Sequence, residues 1–196
     1  MANVTPLLLF QTAQDINIGG AVWSTPEGAL AQDFAAAQSG PVGLFSPGPS
    51  TNTLRLRDSN IGSPPPVGFT LLGVELEVRG RWTGNSNGTR TVRVEAHVGG
   101  VVRDDLGTGS LPLNLNNSFV KGGPTDTMNL SEADVLDPAF GFQIVGSSTS
   151  LHIGGNTLLI DVIRWRFHWE APAGSGASGR SRMRTREAFV RGAFAS

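Results

Sequence analysis

The side chains able to ligate metal, move protons or act as nucleophiles are sparse in this sequence of 196 residues, which has no cysteine, no tyrosine and three histidines. The histidines, His97, His152 and His168, are far apart, and zinc needs three or four ligands that converge. His97 and His168 fall on the outward side of alternating segments, so the histidines read as surface residues and not as metal ligands. Asp104 and Asp105 lack the alternate-position oxygen ligands of a calcium loop and read as a solvated turn. Asp134 and Asp137 read as cap and turn acids, the alternative for such a carboxylate pair being acid/base work. No serine sits in a nucleophile-elbow sequence. The run Gly174 to Gly179, GSGASG, lacks the lysine and the strand-to-helix setting of a phosphate loop and reads as a flexible linker. Disulfides and thiol-based zinc sites are excluded outright, and no cofactor is expected.

What remains is charge and its placement. Residues 180–196 carry five arginines, Arg180, Arg182, Arg184, Arg186 and Arg191, against Glu187, a net of +4; with −1 overall, residues 1–179 hold −5. An acidic body with a basic tail can associate with copies of itself or with another acidic surface. Two readings of the tail stay open: a disordered basic tail, or a docking arm that packs Phe189, Val190 and Phe194 on a neighbouring subunit with its arginines on acidic surface. Helical spacing would bring Met183, Val190 and Phe194 near one face. Phenylalanines interrupt the basic run and the body would repel phosphate, so nucleic acid is not the expected partner. A second contact surface is expected on Arg164, Arg166 and His168.

Those three residues lie on Leu158 to Glu170, LLIDVIRWRFHWE, the segment that organises the chain. Ile163, Trp165, Phe167 and Trp169 alternate with Arg164, Arg166, His168 and Glu170, a strand with one face in a core and one in water. Upstream, Leu158, Ile160 and Val162 take the phase of the arginines, so that half is expected to be covered on both faces. Phe69 to Trp82 alternates as well, with Leu72, Val74, Leu76, Val78 and Trp82 inward. Thr89 to Val98 does so with Val92, Val94, Ala96 and Val98, and the loop between them predicts a hairpin. Thr53 to Arg57 and Phe140 to Val145 are further strands, with Leu54, Leu56, Phe140, Phe142 and Ile144 inward. Val101 to Leu106 and the LPLNL run within Leu111 to Val120 are weaker ones. Ala29 to Ala37 favours a turn or two of helix. Ser131 predicts the N-cap of a short helix closed by Pro138. Pro6 to Phe10 belongs to a first strand or an extended arm that the body or a neighbour must cover. It has no basic region before it, which argues against a signal peptide, and no stretch is long enough to span a membrane.

About eight strands, 26 glycines and 12 prolines predict an all-β, two-sheet antiparallel β-sandwich of the jelly-roll kind, preferred to a closed barrel, with extended N- and C-terminal arms. The expected organisation is an N-terminal strand or arm over 1–17, a sandwich over 18–170, a linker over 171–179 and a basic arm over 180–196.

The order of motifs adds a resemblance. Trp23-x-x-Pro26-Glu27 with Ala29 and Asp33, then Thr53-Leu54-Arg55-Leu56, then Pro66 before Gly73 to Val78, resembles a β-sandwich module of tailed-bacteriophage virion structural proteins. So do Gly122 to Asp126, Glu132 to Val135 leading to Asp137 to Gly141, and Asp161-x-Ile163-x-Trp165-x-Phe167-x-Trp169. It covers roughly Ile18 to Glu170; the proline-rich 39–50 loop and the aromatics of the last strand depart from the pattern. The resemblance implies a non-enzymatic virion component assembled in the host cytoplasm. Its expected partners are other virion proteins and copies of itself, such as a trimer, with neither nucleic acid nor membrane. Capsid decoration is preferred, since one sandwich with terminal arms has no trimeric stem or second anchoring domain. The alternatives are a tail, neck or fibre-associated module, including one that recognises a host surface carbohydrate. A hydrolase on the same fold would need a convergent site.

Overall fold

The computed structural model describes residues 2–33, 35–44, 48–59, 61–151 and 154–173. Eleven strands occur among them: β1 (Ala2–Val4), β2 (Leu8–Ile16), β3 (Trp23–Ser24), β4 (Ala37–Ser39), β5 (Thr53–Ser59), β6 (Thr70–Gly84), β7 (Arg90–Val98), β8 (Val101–Gly109), β9 (Asn117–Gly122), β10 (Phe140–Ser148) and β11 (Asn156–Glu170). One short helix, α1 (Glu132–Leu136), and a 3-10 turn at Pro26–Ala29 complete the elements. The strands beyond the eight expected include the very short β1, β3 and β4, too brief to show a period.

Every pairing between these strands is antiparallel. One sheet has β11 at its centre, with β6 and then β9 on one side. Along its other side β4, the start of β2, and β1 take successive stretches of β11. The second sheet runs β2-β5-β10-β7-β8. The chain is thus an all-β, two-sheet antiparallel sandwich. The nesting of β7 with β10 inside β6 with β11 is the rolled-hairpin pattern of a jelly roll. β2 belongs to both sheets: Leu8 and Leu9 pair with Trp165 and Arg164, whereas Phe10 to Ile16 pair with β5. Residues 2–16 therefore hold two strands of the body, β1 and β2, where the sequence left strand or arm open for 1–17, with Leu8 and Phe10 in the core. The 174–179 part of the linker and the whole 180–196 arm lie outside the described residues.

The expected hairpin of β6 with β7 does not form. β6 is flanked by β11 and β9 in one sheet and β7 by β10 and β8 in the other, so the two strands face each other across the core. Alternation shows which side of a strand is inward, and it reads the same for a neighbour beside as for one opposite. The crossing loop is tied to the far strand by the Asn85 amide, which donates to Asn156 Oδ1 at 2.8 Å. At Gly84, with φ 123°, a side chain would collide with that same Asn156 Oδ1.

A β-bulge at Asp161 corrects the reading of β11. One extra residue there shifts the phase, so Leu158 and Ile160 point into the same core as Ile163, Trp165 and Phe167, all at 0% exposure. Leu158 and Ile160 were counted out of step, whereas Val162 keeps the phase of the arginines and is 1% exposed outside the main core cluster, so cover on both faces is confined to the bulge. The same happens on β6, where a second irregularity buries Leu71 and leaves Leu72 half-buried. The helical turn expected at Ala29 to Ala37 sits earlier, where Pro26 pre-sets the backbone, because Ala37–Ser39 must extend to pair with β11. The LPLNL run is not a strand either: Pro112 O accepts from the Trp82 amide and pairing resumes only at Asn117.

The core is held by rings from both sheets. Trp165 packs edge-on to Phe140 at 4.8 Å between centroids and stacks with Phe167 at 5.6 Å and with Phe10 at 6.3 Å. Trp82 and Phe142 are fully buried as well. Such pairs add to area burial in fixing the sheet-to-sheet geometry.

Candidate functional site

The outward face of β11 and β6 carries the residues expected to make a subunit contact. Register places Arg164 opposite Glu77 and Arg166 opposite Glu75. Arg164 Nε donates to Glu77 Oε2 at 2.7 Å and Arg166 Nε donates to Glu75 Oε2 at 2.6 Å. His168 Nε2 lies 3.0 Å from the other oxygen of Glu75, which is therefore shared by an arginine and a histidine. At the bulge, Asp161 and Arg79 form one more ion pair at 3.2 Å. The face is a ladder of cross-strand charge pairs with its members half-buried, and the Arg164 hydrogen bond holds the Glu77 carboxyl below the usual carboxylate range.

Apolar side chains border the ladder. Leu9 pairs with Arg164 on one side and Val120 with Glu77 on the other, giving a row Leu9, Arg164, Glu77, Val120 across four strands. Leu7, Leu9 and Val120 are 44%, 44% and 58% exposed. Leu7 and Val120 line a dimple of about 110 Å³ with Glu75, Glu77 and Arg166. The structure thus brings Arg164, Arg166 and His168 together, and adds Glu75, Glu77, Leu7, Leu9 and Val120. The matching spacing of Glu75, Glu77 and Arg164, Arg166 on two alternating segments was the available signal for these partners.

The other candidates fall elsewhere. His97 is outward, as expected, yet it is not a surface residue: it is fully buried on the outer side of β7. The Gly100 amide donates to Nδ1 at 3.3 Å, which leaves Nε2–H to donate to Leu56 O at 3.2 Å. Burial, with the Arg55 charge beside it, pushes this imidazole down to about 4. His152 lies outside the described residues.

Asp104 and Asp105 are not in a turn but within β8, where Asp105 takes both Nε and Nη2 of Arg93, at 3.2 and 2.8 Å. The two adjacent acids are accommodated because β8 slips register beside them. Asp134 is a capping residue: the Ser131 amide donates to it at 2.9 Å, and it donates its own amide to Ser131 Oγ at 3.2 Å. Partial burial raises the Asp134 carboxyl, but the bonds from Ser131 and the Arg103 charge outweigh it and the net shift is downward. Asp137 accepts from the Ala139 amide at 2.7 Å, closing the turn after α1. Among the described residues no three His, Cys, Asp or Glu side chains converge as a metal site would require.

No protein-family model and no curated protein matches the chain. Among solved structures it is similar to a carbohydrate-binding module of a Cellvibrio mixtus lichenase, in complex with cellotriose. The identity is 15% and the TM-score 0.36, over 83% of this chain and 97% of that one. That similarity is too distant to bear on ligand or activity.

A second recess, of about 560 Å³, lies beside the 3-10 turn, lined by Glu27, Asp33, Arg81, Asn116 and Asp161 among others. Arg81 there donates to Asn116 Oδ1 at 2.9 Å, and Asp161 is committed to Arg79. The charge ladder differs from it in kind. Its ionic groups are pre-paired and its rim is apolar, an arrangement suited to being covered by a protein surface.

Proposed function

We propose that the chain is a non-enzymatic structural protein of a tailed-bacteriophage particle, a β-sandwich laid onto the virion as a capsid decoration protein. The order of motifs along Ile18 to Glu170 motivates the class. The observation that carries the reading is the outer face of β2, β11, β6 and β9. Its arginines and glutamates already neutralise each other in fixed pairs, so covering them orders little that is not ordered beforehand. Its border of Leu7, Leu9 and Val120 supplies apolar area that gains about 25 cal/mol for each Å² removed from water. The large aromatic rings of β11 support the same reading, since Trp165 and Phe167 are inside and cannot serve as a platform for sugar rings.

The test is the protein's stoichiometry in purified particles, by quantitative mass spectrometry and electron microscopy. Hundreds of copies on the capsid surface are expected. Absence from the particle overturns the proposal, and a small multiple of three or six moves the protein to the neck, tail or fibre. A Leu9→Glu, Val120→Glu double variant should fold normally and fail to bind particles that lack the wild-type protein. Unimpaired binding would remove this face from the account.

A further inference from the structure

We propose that the C-terminal arm folds back onto its own chain, seating Phe189, Val190 and Phe194 in the apolar groove between the Pro64–Pro66 loop and α1. The groove has a volume of about 460 Å³ and is lined by the three prolines, Val67, Phe69, Ala133 and Leu136, with Glu132 on its wall. Val67 is 99% exposed and Leu136 38% exposed, so the groove and its lip present apolar surface to water in the described residues.

Three observations select the arm as the occupant. The first is position. β11 ends at Glu170 opposite Thr70, and Pro172 passes within 4.0 Å of where a Cβ on Gly68 would stand, so the chain leaves the sandwich at the groove itself. The second is reach. Fifteen residues separate Ala173 from Phe189, a span of up to about 50 Å. A segment joined through a short stretch of chain is at its highest effective concentration near its own point of exit. The third is chemistry. Phe189, Val190 and Phe194 are large apolar residues of an arm that also carries five arginines. They match an apolar groove with Glu132 at its wall on a body of opposite net charge. Rigid proline surface is a good partner for aromatic rings, because it loses little freedom on being covered.

The absence of native cysteine gives a clean test in the full-length chain. Val67→Cys together with Ala188→Cys places one thiol on the groove's lip, at a position 99% exposed, and one next in sequence to the anchors. Under mild oxidation the pair is expected to close within one chain, running as a monomer on a non-reducing gel. Closure should be at least tenfold faster than for the same two cysteines carrying Phe189→Ser and Phe194→Ser, where only random collision of the tether remains. Equal rates in the two backgrounds would overturn the proposal. Disulfide-linked dimers in place of the closed monomer would overturn it as well, and would put the arm on a second copy.

Discussion

Lowering the pH from 7 to 4.5 should destabilise this protein through His97 in particular. In the folded chain the imidazole is sealed between strands, donating to Leu56 O and accepting from the Gly100 amide, and burial with the Arg55 charge outweighs the backbone contacts of Leu56 and Phe142 that favour a proton. Its folded value is about 4 against 6.5 for the free side chain. The unfolded chain therefore binds a proton at a pH where the folded chain does not. The stabilisation is present in full above about pH 6.5 and is lost as the pH falls towards 4, the sign expected when the unfolded state holds more protons. Integrated from pH 7 to 4.5, the loss is about 2 kcal/mol. Carboxylates titrate in the same interval, so a variant must isolate the histidine. His97→Gln can keep the donation to Leu56 O and does not titrate. It should be less stable than wild type at pH 7, and its own change between the two pH values should be smaller by about 2 kcal/mol, roughly 1 M in urea midpoint. Tryptophan fluorescence during urea unfolding at both pH values measures all four quantities. If wild type and variant lose the same amount of stability on acidification, the imidazole is not buried neutral in the native state and the reasoning fails. An NMR titration showing the His97 ring charging near pH 6.5 in the folded protein would refute it equally.

Other perturbations separate the parts of the fold. Trp165→Ala removes the ring on which Phe10, Phe140 and Phe167 converge and should cost about 3–5 kcal/mol; chemical denaturation measures this, and a folded variant of near wild-type stability would contradict the core assignment. Gly141→Ala should cost at least about 2 kcal/mol, because the new methyl would run into the Leu56 carbonyl on the neighbouring central strand; thermal melting reads it. Ser131→Ala should cost about 1 kcal/mol by removing the hydroxyl that accepts from the Asp134 amide at the start of α1, with hydrogen exchange rising locally at α1. Glu77→Gln should cost less than about 1 kcal/mol, and the difference from wild type should shrink in high salt, since the Arg164 pair is part-exposed.

Sequence made the faces of the long strands legible and left their neighbours obscure. Trp165, Phe167, Val74, Leu76, Val92 and Val94 are inward as their alternation requires, because a period of two is a local property. Whether β6 lies beside β7 or across from it depends on which edges other strands occupy, and nothing within the two segments encodes that. Bulges were invisible for a related reason. Asp161 adds one residue to β11 and reverses the phase of Leu158 and Ile160, yet a single extra residue has no signature in composition. His97 shows the limit on burial: its face was correct, but its exposure depends on Arg55, which comes from elsewhere in the chain, and on how the adjoining Gly99-Gly100 turn folds back on the ring. That Arg164, Arg166 and His168 share one outward face was legible from their alternation. Its acidic partners needed the β6 to β11 register, and Leu7, Leu9 and Val120 needed the sheet order.

The sheet order also bears on how such a sandwich would assemble. An exposed strand edge invites pairing with a second chain, and two-sheet folds have to manage four of them. Here one side of the sandwich is joined by β2, which pairs in both sheets. On the opposite side β8 and β9 close on each other: Lys121 Nζ donates to Thr108 O at 2.7 Å, and the Phe119 ring lies over Gly109 where a side chain would not fit. β8 further carries Arg103, Asp104 and Asp105, charges that resist the addition of another strand. Association by sheet extension is thereby discouraged on both sides, and association through a face is favoured. The face with pre-paired charges and an apolar border is the one formed by β2, β11, β6 and β9. A module meant to cover an existing surface, without polymerising by its edges, requires that division of labour between its edges and its faces.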